Sequence, residues 1–114
     1  MTDRLTPESA LAKLAAAGGP EFVGLFRHGS LEVEVYRPVQ VDRQRPHTRD
    51  EVYVVISGSV YFVSGESRRP FGPGEVLFVA AGVAHRFEEF TDDFATWVFF
   101  YGPEGGEAES RGRG

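Results

Sequence analysis

The chain has no cysteine, one methionine, one tryptophan and three histidines among 114 residues. Without thiols, disulfides, zinc–thiolate centres and cysteine nucleophiles are all excluded. Metal or acid–base chemistry that uses imidazole must draw on His28, His47 and His85. No apolar run approaches the roughly 20 residues that cross a bilayer, and no signal peptide opens the chain, so the expectation is a cytoplasmic protein with no membrane partner. Basic residues number 12 against 17 acidic ones, for a net charge of −5, and no basic cluster occurs. That balance excludes nucleic acid as the expected partner. There is no glycine-rich phosphate loop, no solenoid repeat and no pattern for a second helix. What is present is a hydrophobic content of 41%, enough for a core at a length that suits one domain.

Three segments are expected: a helical extension over 1–20, a β-rich body over 21–101 and a disordered tail over 102–114. Thr6-Pro7-Glu8 reads as a helix start, with a hydroxyl cap, proline in the first turn and an acid beside it. Gly18-Gly19-Pro20 stops the segment. Leu11 and Leu14 form an apolar stripe that needs a sheet or a partner subunit to cover it. From Phe22 onward, short β-prone runs alternate with turn residues, giving about eight strands and an all-β barrel or jelly roll. Leu31, Val33 and Val35 alternate with Glu32, Glu34 and Tyr36, the mark of a half-buried strand. Val52 to Ile56 reads as a strongly buried strand, and Gly102 to Gly114 holds no large apolar residue.

His47 and Glu51 are four apart at the start of that buried strand, and an even separation puts both on one face of an extended chain. His85 precedes another strand. If the two strands are barrel neighbours, two imidazoles and a carboxylate converge, a donor set suited to a divalent metal with open coordination positions. Parity puts Tyr53 and Val55 on the face of Glu51, and Phe87 on that of His85. Phe62 and Phe78 are candidates for the same cavity, and the last strand offers either Trp97 and Phe99 or Val98 and Phe100. Tyr53 and Phe87 are taken as pocket-lining. His28 beside Gly29 reads as an exposed turn residue, and Arg68-Arg69 as a solvated hairpin tip.

Residues 45–58 (RPHTRDEVYVVISG) and 74–89 (GEVLFVAAGVAHRFEE) resemble the two motifs of the cupin superfamily, whose jelly-roll barrel is a double-stranded β-helix. His47, Glu51 and Gly58 fall on the first motif, and Gly74, Gly82 and His85 on the second. Arg45 stands where the first motif has another histidine, Ala80 replaces a proline and Glu89 an asparagine. A guanidinium is a donor only and cannot ligate a metal. The resemblance implies a metal held by His47, Glu51 and His85, with Gln44 or Asp42 as additional ligands and Arg45 lining the site.

Its implied identity is iron, manganese, nickel or zinc, and its implied partners are a small-molecule ligand or substrate and a second copy in a homodimer. Three functions are compatible with it. The first is a non-haem dioxygenase or metal-assisted isomerase, with Tyr53 or Arg45 orienting an anionic oxygen. The second is a non-catalytic metal- or ligand-binding module. The third is a metal-free cupin in which Arg45 fills the vacant position and pairs with Glu51.

Overall fold

The computed structural model describes residues 4–18, 20–42 and 45–108. One helix, α1 (Pro7–Ala16), precedes eight strands: β1 (Phe22–His28), β2 (Leu31–Tyr36), β3 (Asp50–Ser57), β4 (Val60–Ser64), β5 (Ser67–Phe71), β6 (Val76–Val79), β7 (His85–Glu88) and β8 (Ala95–Tyr101). The helix begins where the sequence signals it. The Ser9 amide donates to the Thr6 hydroxyl and the Thr6 amide to the Ser9 hydroxyl, each at 3.1 Å. This reciprocal cap satisfies two orphan donors and is worth about 1 kcal/mol.

Antiparallel pairing makes a five-stranded sheet, ordered β1-β2-β8-β3-β6, and a three-stranded sheet, ordered β5-β4-β7. The two sheets have the all-β jelly-roll arrangement expected from the sequence. Tyr53, Val55, Leu77, Val79 and Val98 of the large sheet meet Val60, Phe62 and Phe87 of the small one in the main core. A second apolar layer lies on the back of the large sheet. There Ala10 and Leu14 of the helix pack on Val35, with Val23, Leu25, Ile56 and Trp97 around them. The helix thus covers a face of its own sheet, using Ala10 and Leu14 four apart, while Leu11 is only partly buried.

The back layer explains a reversal in β2. Its apolar residues Val33 and Val35 turn outward, and Val35 packs beneath the helix. Glu32, Glu34 and Tyr36 therefore turn toward the barrel interior. Register makes this concrete, because Glu32 pairs with Phe100, Glu34 with Val98 and Tyr36 with Thr96 on β8, and Val98 and Tyr36 are core residues. The same register selects Val98 and Phe100 as the inward pair of β8. Phe78 is 59% exposed on the outer face, so the core positions of β6 are Leu77 and Val79 rather than Phe78.

Two further expectations are corrected. Arg68 and Arg69 lie within strand β5, paired with Val63 and Phe62 of β4, and Pro70 is accommodated because β5 is an edge strand needing no donor there. Residues 102–107 are tied to the body by hydrogen bonds described below, so the tail expected from 102 is structured through that stretch; residues 109–114 lie outside those described. Gly58 shows why its turn needs glycine. Its φ is +81°, and a Cβ there would sit 2.5 Å from the Thr91 hydroxyl and 2.6 Å from the Phe94 Cα.

Candidate metal centre

Glu51 sits on the inner face of β3, opposite Val79 on one side and Phe100 on the other. His85 opens β7, where it pairs with Ser64 of the small sheet. His47 comes from the loop before β3. The three therefore meet where the two sheets converge, and each offers a ligand atom within 4.8 Å of the others. The group could hold a metal.

Glu51 Oε1 lies 2.9 Å from His85 Nε2, and Oε2 lies 3.9 Å from His47 Nε2. Glu51 is 1% exposed, yet neither of its oxygens has a hydrogen bond among the described residues. The reason lies in the His85 ring. Its Nδ1 is 2.8 Å from the Val83 carbonyl, which can only accept, so the proton of a neutral ring belongs on Nδ1. Nε2 then presents a lone pair toward the carboxylate, with the Tyr53 hydroxyl 3.0 Å away from the same nitrogen. A lone pair facing a buried carboxylate needs a positive charge between them, either a proton or a metal ion. Burial opposes a charge on His85, but the Glu51 carboxylate and the Val83 carbonyl outweigh it and hold the imidazole pKa above its usual value. His47 is the open side of the group, with its side chain 36% exposed and its ring 4.9 Å edge-on from Phe100.

The ligand loops are cross-linked through the backbone. The Gly82 amide donates to the His47 carbonyl at 2.7 Å, joining the two motif segments. Asp50, adjacent to Glu51, accepts from the Ala81 amide at 2.9 Å and from the Glu107 amide at 2.8 Å. The Gly105 amide donates to the Thr48 carbonyl at 2.6 Å. Arg49 donates to Glu32 at 2.7 Å and to the carbonyls of Gly102 and Ser30. Residues 102–107 are thereby strapped across the segment that carries His47.

Beside His47 opens a cleft of about 570 Å³, with Glu32, Glu34, Tyr36, Arg45 and Phe100 in its wall. The structure thus brings His47, Glu51 and His85 together and distributes the other expected site residues differently. Arg45 is exposed at the cleft wall, and the ion-pair neighbours of Glu51 among the described residues are His47 and His85, so Arg45 does not fill the site as a counter-ion. Gln44 lies outside the described residues. Asp42 is not free to ligate: it accepts from the Tyr36 hydroxyl at 2.5 Å and the Phe87 amide at 2.8 Å, tying its loop over the barrel. Tyr53 and Phe87 are buried in the core instead of lining the cleft, though Tyr53 reaches the site through its hydroxyl. His28 is exposed at the end of β1.

Glu34, Arg49 and Asp50 belong to the site's surroundings and were not singled out by sequence. The one available signal for Glu34 was its two-residue spacing from Tyr36 on an amphipathic strand, which does not say which face is interior.

A sequence model of the Cupin domain matches residues 32–101. An uncharacterized protein of Streptomyces coelicolor is 34% identical over 91 residues, covering 78% of this chain and 87% of the relative. Among solved structures, a Cupin 2 conserved barrel domain protein from Salinispora arenicola superposes with a TM-score of 0.66 at 21% identity, over 90% of this chain and 89% of that one. The DMSP lyase DddQ from Ruegeria pomeroyi superposes at 0.61 with 24% identity, over 87% of this chain but 55% of the lyase. At these identities the structural likenesses establish the fold alone. Together with the family match across both motifs and the strands that carry them, they show that the chain belongs to the cupin family.

Proposed function

We propose that the protein holds a divalent metal through His47, Glu51 and His85 and acts with it on a small molecule in the adjoining cleft, as a non-haem oxygenase or a metal-assisted isomerase. The observation that carries this reading is the Glu51 carboxylate, fully buried between two imidazoles with neither oxygen hydrogen-bonded. An uncompensated buried carboxylate costs several kcal/mol, and a metal ion satisfies both oxygens at once.

A bound metal would supply Lewis acidity and open coordination positions. The chain's own residues do the rest. The Val83 carbonyl fixes the His85 tautomer so that Nε2 points inward, as ligating histidines require. The apolar rings of Tyr53, Phe62 and Phe87 exclude water behind the triad, while His47 leaves it open toward the cleft. Tyr53, with its hydroxyl at His85 Nε2, is placed to hand a proton to or from a substrate atom near the triad. That a structural relative is a lyase supports catalysis on this fold.

Elemental analysis of untagged protein tests the site. Metal should be present in the wild type and lost in His47→Ala and His85→Ala, and content unchanged by both substitutions refutes the triad. Oxygen uptake then marks an oxygenase, whereas solvent deuterium entering a substrate without oxygen uptake marks an isomerase. Neither signal, with metal retained, leaves a binding module.

A further inference from the structure

We propose that the cleft beside the triad takes a small organic cation, an ammonium-type group whose charge rests against the Glu34 carboxylate. This deepens the reading that the cleft is the ligand site, and it does not depend on which metal, if any, the triad holds.

The argument begins with the register. Glu34 faces inward from β2, and its two cross-strand neighbours are Gly24 of β1 and Val98 of β8. Glycine leaves open space on one side, and valine brings no charge on the other. Glu34 therefore stands half-buried with no hydrogen bond or salt bridge among the described residues. The neighbouring acids are better served. Glu32 is clamped by Arg27 and Arg49, each at 2.7 Å. Toward the rim, Glu21 accepts from the Val39 amide and Glu104 from the Thr48 hydroxyl.

Among the described residues, the charges facing Glu34 leave it short of a cation. Four carboxylates among the described residues, Glu21, Glu32, Glu34 and Glu104, line the cleft against two guanidiniums. Of those two, Arg49 is committed to Glu32 and to two carbonyls, and Arg45 is exposed at the wall. Across β8, on the same inner face, lies the Glu51 carboxylate. Burial, followed by the charges of Glu32 and Glu51, holds the Glu34 pKa above the usual carboxylate range, and Arg27 offsets this only in part. A ligand anion would meet these carboxylates, whereas a ligand cation relieves them.

The wall also distinguishes an organic cation from a metal ion. Glu34 does not belong to the His47, Glu51 and His85 group, and among the described residues it joins no cluster of three acidic or imidazole side chains that could ring a bare metal ion. Its surroundings are aromatic instead. Tyr36, its ring anchored by the bond to Asp42, and Phe100 line the cleft on the inner face, with Phe22 paired opposite Tyr36 nearer the mouth. A carboxylate flanked by aromatic rings suits a weakly hydrated ammonium, which gains from both charge and ring faces.

The test titrates the full chain, metal-free and then manganese-loaded, with tetramethylammonium, with choline, and with choline's uncharged isostere in which carbon replaces nitrogen. Binding is followed by calorimetry and NMR. At least one cation should bind tenfold or more tightly than the isostere. Glu34→Gln should weaken that cation by about 10–100-fold, the lower range for loss of a close charge pair, with metal content unchanged and melting no lower. Equal binding of isostere and cations, no binding of either cation, or indifference to Glu34→Gln overturns the proposal. A wild type that discriminates the cations but holds none of iron, manganese, nickel and zinc refutes the metal reading and leaves this one standing. The opposite pattern refutes this one alone.

Discussion

Replacing Glu51 by glutamine in the metal-free protein separates a metal ligand from a structural ion pair. The carboxylate is 1% exposed, with one oxygen 2.9 Å from His85 Nε2 and the other 3.9 Å from His47 Nε2, and neither hydrogen-bonded. Above the raised folded pKa of His85, where the ring is neutral and protonated on Nδ1, nothing compensates that charge in the metal-free protein. Glutamine keeps the volume, removes the charge and offers an N–H to the Nε2 lone pair. Relief of an unpaired buried charge, set against one amide hydrogen left without a partner, gives a net stabilisation of about 1–3 kcal/mol.

Urea melts of chelator-treated protein, carried upward through the histidine range to about pH 9 where imidazolium pairing fades, read this directly. At about 4–8 °C per kcal/mol for a domain near this size, a thermal scan should show it as well. Added metal should raise wild-type stability by about 2.7 kcal/mol at one hundred times its Kd, and should leave Glu51→Gln unmoved. A loss of 3–5 kcal/mol in metal-free Glu51→Gln, the signature of a broken buried pair, refutes the reasoning.

Other expectations follow from the same geometry. Asp50→Ala removes the acceptor for the Ala81 and Glu107 amides and should cost about 2–4 kcal/mol. It should also weaken metal binding about 10–100-fold in competition with a chelator, with partial recovery in Asp50→Asn; unchanged affinity in a folded protein removes Asp50 from the positioning role. His85 has its pKa raised by Glu51 and Val83 against burial. In the metal-free protein its contribution to stability is therefore complete below the unfolded histidine value of about 6.5 and is lost as pH rises through the higher folded value. Metal binding runs the other way, weakening as pH falls through that folded value because the proton takes Nε2; melts and metal titrations across about pH 5 to 9 should move in opposite directions. Gly58→Ala meets Thr91 and Phe94 at a positive φ and should be destabilised by about 1–3 kcal/mol or more. A wild-type melt there would show that the turn can shift.

The candidate triad was legible because its information is local. His47 and Glu51 share a strand face through an even spacing, and the glycines of both motifs mark turns that only positive φ satisfies, as Gly58 and Gly82 do. The helix was equally readable, since Thr6, Pro7 and Ser9 act on the first turn of their own chain. The tail was misread for a related reason. Composition from Gly102 onward lacks apolar side chains, but residues 102–107 are held by backbone amides donating to Asp50 and Thr48, and backbone donors leave no mark in composition.

Amino-acid sequence by itself thus determined the strand succession apart from β5, the helix cap and the spacing that lets two imidazoles and a carboxylate meet. Only the tertiary structure decided which faces look inward. A period of two says that the two sides of β2 differ, not which side another layer will cover. Helix α1 buries Val35 on the back of the sheet, so Glu32, Glu34 and Tyr36 are turned into the barrel, and acids that read as solvent-facing become the wall of the candidate site. The same choice sends Phe78 outward and brings Val98 and Phe100 in. Burial is settled by which layers stack, and stacking depends on contacts between segments far apart in the chain.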